Sequence, residues 1–241
     1  MKLVLFVLKF PLVSKCGHIR KLVSESSDGD VTTSIELHDC PGGAEAFELA
    51  AMFCYGINFE IDMKNIAMLR CAAEYLVMTE EYAVGNLVGR SEAYINEVAL
   101  KSLSGAVSVL HMSQSLLPTA EKVKLVSRCI DAIAIVACKD THWWAEDLTV
   151  LRIDIFQRVL VAMMSRGYKH YSLGPVLMLY AKKSLRGLVR SRSDPIYLFV
   201  FVVFVLLCKH SKCIRRYLGR GGRKLRQNKK KSMRRELYWK Q

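Results

Sequence analysis

Three observations predict a mainly α fold with a small β-sheet remnant. Apolar residues recur three or four apart from about residue 12 to 185. Gly, Pro, Asn, Asp and Ser punctuate that pattern at intervals suited to helices of 10–20 residues. Alternation with period two appears only near the N-terminus.

Taken in order, residues 3–8 are rich enough in Val, Leu and Phe to form a strand. The apolar core between Lys2 and Lys9 holds six residues, short of the ~7–15 of a secretory signal. Pro11 suits the first turn of a helix over Leu12 to Glu25, with Leu12, Ile19, Leu22 and Val23 on its apolar side. Ser26 to Asp30 reads as a loop. From Val31 to His38 the chain alternates, placing Val31, Thr33, Ile35 and Leu37 on one face of a half-buried strand. Pro41-Gly42-Gly43 is a turn signal. A helix then runs from Glu45 to Tyr55 with Phe47, Leu49, Ala50, Phe53 and Cys54 near helical spacing, closed by Gly56. The next opens at Asp62 or Asn65, both good N-caps, and carries Ile66, Leu69, Ala73 and Leu76. A third follows with Val84, Leu87, Ser91, Tyr94, Ile95 and Val98 at the same period. None of these three short helices can bury its stripe alone, so they must pack together.

Further on, Ser102 to Gln114 is predicted helical with Leu103, Val107 and Leu110. Pro118 starts a helix to Lys139 that turns Val123, Val126, Ile130, Ile133, Ala134 and Ala137 inward. Thr141 to Trp144 breaks it. Ala145 to Ser165 reads as one strongly amphipathic helix through Leu148, Leu151, Ile155, Val159 and Ala162, stopped by Gly167. Its adjacent Glu146 and Asp147 read as partners of the N-terminal dipole rather than an acid/base pair. Leu173-Gly174-Pro175 opens a last helix to Leu185.

The 241 residues are 51% hydrophobic, ample for a core. The net charge of +14 is not spread evenly. Residues 189–241 hold 16 of the 36 Lys and Arg but only Asp194 and Glu236 among the 22 acids, so the body is neutral and the tail is densely basic. The tail begins with an apolar run from Ile196 to Cys208. At 13 residues it is shorter than the ~17–25 of a membrane-spanning helix. Three readings stay open for it: a span, interfacial insertion, or an artefactual or disordered tail; its β-branched and aromatic residues also allow an aggregation-prone strand. Arg215, Arg216, Lys229, Lys230 and Lys231 in the flank after it are candidate contacts to an anionic membrane. Nucleic acid is the weaker partner. The implied location is cytoplasmic, with the plasma membrane as the surface the tail would seek.

Nothing in the chain carries the spacing of a catalytic or metal centre. The cysteines Cys16, Cys40, Cys54, Cys71, Cys129, Cys138, Cys208 and Cys213 include no Cys-x-x-Cys pair, and the six histidines form no ligand cluster. Reduced, buried thiols are the expected state. There is no Gly-x-Ser-x-Gly elbow. No catalytic residue, metal or cofactor is predicted, and the chain is read as a non-enzyme that presents a surface.

Three segments resemble a known family. Phe10-Pro-Leu-Val-Ser-Lys-Cys-Gly-His-Ile-Arg-Lys-Leu22, Pro41-Gly-Gly-Ala-Glu-Ala-Phe-Glu-Leu-Ala-Ala-Met-Phe-Cys-Tyr-Gly56 and Met68-Leu-Arg-Cys-Ala-Ala-Glu-Tyr-Leu76 are similar to plant BTB/POZ domains of the non-phototropic hypocotyl 3 family. Trp143 to Leu151 and Gly174 to Ala181 resemble the opening of that family's helical domain. The resemblance covers about 9–188. It implies a partial BTB/POZ fold over 1–100, a helical linker over 101–140 and the start of the helical domain over 141–188. Residues 189–241 form a tail without resemblance to the family. A member truncated at both ends is implied. The dimerisation helix and two strands that open the BTB pattern have no full counterpart before Phe10, so dimerisation does not carry over. The resemblance further implies an adaptor of a cullin-3 ubiquitin ligase, with a protein substrate or a photoreceptor kinase of phototropin signalling as partner. Its cullin-contacting pattern, hydrophobic-x-Glu, falls on Val23, Ser24 and Glu25.

Overall fold

The chain begins its described structure with a minimal sheet. A computed structural model describes residues 3–4, 9–25, 36–138, 142–168 and 173–184. Strands β1 (Leu3–Val4) and β2 (Glu36–Leu37) pair antiparallel, Leu3 opposite Leu37. Leu37 is buried, as the alternation places it. β2 stops before His38, the expected end of its strand; residues 5–8 and 31–35 of the expected strands lie outside the described ones, as do the loop at 26–30 and the whole tail.

The expected helix over Leu12 to Glu25 is two helices, α1 (Lys9–Lys15) and α2 (Gly17–Glu25). The break at Cys16 persists because tertiary hydrogen bonds replace helical ones. Gly17 N donates to Val77 O and His18 N to Leu76 O, both at 3.1 Å. Those carbonyls end α4 (Ile66–Tyr75), so a helix start, with its free amides, meets a helix end, with its free carbonyls. Arg20 closes the other side of the break, its Nε donating to Val13 O at 3.1 Å and Nη2 to Ser14 O at 3.4 Å.

Between these lies α3 (Gly43–Cys54). Gly42 holds φ +82°, and a Cβ there would sit 2.7 Å from Ala46 Cβ and 2.8 Å from Met68 Cβ. The turn and the close approach of α3 to α4 both exclude a larger residue. The two candidate caps bond each other in the turn before α4, and neither side chain takes an amide of the helix itself. Asp62 Oδ1 accepts from Lys64 N and Asn65 N, and Asn65 Oδ1 accepts from Asp62 N. This reciprocal pair resembles a capping box. Ile66, Leu69, Ala73 and Leu76 are all fully buried, in line with the spacing. α5 (Leu87–Glu97) buries Leu87, Ser91 and Ile95. Val84 does not belong to its stripe: it precedes the helix, before the Asn86 cap, and is 98% exposed. One core cluster joins Leu12, Cys16, Ile19, Phe47, Cys54, Leu69, Leu76 and Leu87.

α6 (Leu103–Ser113) starts at Ser102, whose hydroxyl accepts from Gly105 N at 3.0 Å. The helix expected from Pro118 to Lys139 is also divided, into α7 (Thr119–Lys122) and α8 (Leu125–Ala137). Lys124 at φ +57° turns the chain between them, yet Val123 and Val126 stay buried, so the apolar rhythm continues across the break. α8 packs against α6 and against α9 (Ile153–Ser165). The helix expected from Ala145 begins only at Ile153. Before it come two 3-10 turns, His142–Ala145 and Asp147–Val150. Glu146 and Asp147 therefore do not serve the dipole of α9; Asp154 occupies its first turn. Of the predicted stripe Leu148, Leu151, Ile155 and Val159 are buried, while Met163 takes the place given to Ala162. Trp144 is fully buried and meets Tyr168 edge-on at 5.8 Å. Gly167, at φ +92°, follows the end of α9.

Residues from Tyr171 onward form a second unit. Its described part is α10 (Leu173–Ser184), with a stripe of Leu173, Val176, Leu177 and Tyr180. Among the described residues no helix is long and apolar enough to cross a membrane.

Candidate protein-binding surface

The candidate Val23, Ser24 and Glu25 form the last turn of α2. Ile19 of α2 is buried, and Leu22 and Val23 pack half-buried against the core. Val23 thus divides its side chain between core and surface. Ser24 is exposed and donates to Lys21 O at 2.7 Å. Glu25 is exposed, with Lys21 Nζ 3.8 Å from its Oε1. Such an open i,i+4 pair contributes little. A carboxylate in the last turn also opposes the helix dipole. Glu25 therefore adds little to folding where it stands, which leaves its charge available to a partner.

The segments touching α2 add aromatic and apolar surface. Arg20 stacks on the Tyr82 ring, 4.9 Å from its centroid. Gly17 lies so close to that ring that a Cβ would fall 2.4 Å from it. Phe10 on α1 is 86% exposed. Lys15 and Arg90 both lie over the Phe53 ring, at 4.8 and 5.3 Å. Asn86 ties α1 to α5, its Nδ2 donating to Lys15 O at 3.0 Å and Thr79 O at 2.9 Å.

An ion-pair network fastens three helices, α4, α5 and α8. Arg70 of α4 donates from Nε to Glu92 Oε1 at 2.6 Å and from Nη1 to Glu74 Oε2 at 2.9 Å. Glu92 of α5 also accepts from Arg128 Nη1 of α8 at 2.7 Å, and Arg128 Nη2 reaches Asn96 Oδ1 at 2.7 Å. Burial pushes the Glu92 carboxyl up, but the hydrogen bonds from Arg70 and Arg128 outweigh it and hold it below the ordinary carboxylate range. Arg70 is buried yet stays charged, because Glu92 and Glu74 outweigh its desolvation. Sequence reasoning passed over this network. Its one local signal is a pair of opposite charges, Arg70 and Glu74, four apart in an otherwise apolar helix.

Among the described thiols Cys138 is exposed, and the others divide into two kinds. Burial pushes Cys40 up to about 11, and Cys71 and Cys129 up to about 12. Cys16 and Cys54 instead face each other, Sγ to Sγ 3.6 Å. Among the described residues no group of three or more His, Cys, Asp or Glu comes together as a metal site. Arg215, Arg216, Lys229, Lys230 and Lys231 lie outside the described residues.

Comparison with known proteins gives this geometry its setting. The NPH3 family profile matches residues 142–237, which runs past the boundary expected at 188 and includes most of the basic tail. The BTB/POZ domain-containing protein SR1IP1 of Arabidopsis thaliana is 64% identical over 206 residues, covering 75% of this chain and 34% of that protein. Root phototropism protein 2 of the same plant is 47% identical, covering 77% of this chain and 32% of its own length. The BTB/POZ domain-containing protein SETH6 is 44% identical, covering 77% and 33%. The chain spans about a third of the length of these relatives. No solved structure matches it. With the profile on its C-terminal half and relatives of this kind along three quarters of its length, the chain belongs to the NPH3 family of plant BTB proteins.

Proposed function

We propose that the protein is an adaptor that works by binding, joining a cullin-3 ubiquitin ligase to a substrate protein, with phototropin blue-light signalling as a setting. The single observation that carries this reading is Glu25. It is an exposed carboxylate at the end of α2, opposed by the helix dipole and, among the described residues, in contact only with Lys21 at 3.8 Å. Family membership supports the same reading, since the relatives bear BTB/POZ names and one is a root phototropism protein. The test is a pulldown of recombinant cullin-3 by the wild-type chain and by Glu25→Lys. Capture by wild type and at least tenfold less by the variant, with unchanged thermal melting, is the expected result. No capture by wild type, or equal capture by both, overturns it.

The sequence charge favours a second reading, in which residues 189–241 hold the protein on an anionic membrane. Flotation with phosphatidylserine vesicles should be lost when those residues are deleted. Flotation unchanged by that deletion refutes this reading.

A further inference from the structure

We propose that Cys16 and Cys54 are an oxidative modification site, a buried dithiol that hydroperoxides convert to an intramolecular disulfide fastening the α1–α2 junction to α3. The two sulfurs are 3.6 Å apart and already in hydrogen-bonding contact, 38 residues apart in the chain. A disulfide needs about 2.05 Å, so a shift of about 1.5 Å closes the bond. Cys16 is the residue between α1 and α2, where the helix is already interrupted, so the bond asks no helix to bend. Cys54 ends α3 and is the more accessible partner, 5% exposed against 0% for Cys16.

The surroundings assign the two roles. The hydrogen bond from Cys16 and the charge of Lys15 hold the Cys54 thiol below its ordinary value, against the upward push of burial. Cys16 is pushed far up, by its bond to Cys54 and by burial. Cys54, the more accessible sulfur and the one whose ionisation its neighbours favour, is assigned the attack. Its sulfur takes the distal oxygen of the hydroperoxide, the O–O bond breaks, and the alcohol (water, for hydrogen peroxide) leaves with a proton. Cys54 becomes a sulfenic acid. The Cys16 sulfur then attacks the Cys54 sulfur, the S–O bond breaks, and the hydroxide leaves as water with the Cys16 proton. Two thiols are oxidised by two electrons and one peroxide bond is reduced. The other described cysteines have no sulfur partner within hydrogen-bonding contact: Cys40, Cys71 and Cys129 are raised by burial, and Cys138 is exposed.

The test uses the full chain. It is treated with hydrogen peroxide, denatured, alkylated with N-ethylmaleimide, and digested without reductant for mass spectrometry. The expected result is a cross-linked peptide joining Cys16 to Cys54, loss of both alkylation sites, reversal by dithiothreitol, and a thermal midpoint raised by roughly 10 °C. In Cys16→Ser, dimedone should label Cys54 as a trapped sulfenic acid. The proposal is overturned if Cys16 and Cys54 stay alkylatable while Cys138 is oxidised. It is equally overturned if either sulfur is found bonded to another cysteine, or if Cys16 in Cys54→Ser takes the dimedone in place of Cys54. The wild-type mapping stands alone should a serine variant fail to fold.

Discussion

Replacing Glu92 by Gln should loosen the junction of α4, α5 and α8. The glutamate accepts two short charge-assisted bonds, from Arg70 at 2.6 Å and from Arg128 at 2.7 Å. A charge-assisted bond contributes ~1.5–3 kcal/mol and a neutral one ~0.5–1.5. Gln keeps the shape and a single acceptor oxygen, so one bond is lost and the other weakened. The Arg70 side chain, only 9% exposed, is left with Glu74 as its sole counter-charge. Together these effects predict a loss of about 3 kcal/mol. At 2–4 °C per kcal/mol for a domain of this size, the thermal midpoint falls by roughly 6–12 °C. The control is Glu74→Gln, which touches the same arginine but from a side chain 48% exposed. Solvent screening limits its loss to less than about 1 kcal/mol. Circular dichroism melts of the three proteins at pH 7 decide the matter. Equal losses in the two variants, or a loss under about 1 kcal/mol at Glu92, would refute the reasoning that burial sets the strength of this network. Acid supplies a second readout. The folded Glu92 carboxyl lies below its unfolded value, so its contribution is full above the unfolded value of ~4.3 and fades as pH drops through the folded one. The gap between wild type and Glu92→Gln should therefore narrow in acid and not in base.

Two backbone positions give further tests. Gly105→Ala would place a Cβ 2.5 Å from Ala99 O and 2.9 Å from Met63 Cε. The clash costs about 1–3 kcal/mol against the ~1 kcal/mol that Ala gains in a helix, so a net loss of up to roughly 2 kcal/mol in urea denaturation is expected; a gain refutes it. Val77, a β-branched residue at φ +53°, stands where helices usually end on Gly. Val77→Gly should relieve ~1–2 kcal/mol of strain and lose about 1 kcal/mol to chain entropy, leaving stability level or slightly raised. A drop beyond about 1 kcal/mol would show that the valine side chain is needed.

The helical class and most of the core were legible in the sequence, because burial along a helix repeats with its turn. Ile66, Leu69, Ala73 and Leu76 are the clearest case. Helix breaks were less legible, for the same reason. Val123 and Val126 keep their rhythm across the left-handed turn at Lys124, so the stripe conceals the interruption. At Cys16 the chain leaves the helix because Leu76 and Val77, some 60 residues on, accept the next two amides. Local spacing holds no trace of such a partner. That α2 ends at Glu25 was legible, since a loop signal follows at Ser26; its choice as a candidate contact comes from the family resemblance and not from spacing. The pairing of Glu92 with Arg128 and of Cys16 with Cys54 was not legible, since each joins residues brought together only by the packing of separate helices.

The hydrogen bonds from Gly17 and His18 to the end of α4 make the start of α2 a pivot, with Ile19, Leu22 and Val23 steadying the helix against the core. Nine residues at 1.5 Å each give an arm of about 13 Å from the pivot to Glu25. On such an arm a rotation of about 10° moves the last turn by roughly 2 Å, enough to take a carboxylate out of hydrogen-bonding range of a docked partner. The aim of Glu25 is thus set at the far end of its helix, by the carbonyls of Leu76 and Val77. Substitutions at the pivot should shift the last turn of α2 without altering Val23, Ser24 or Glu25 themselves.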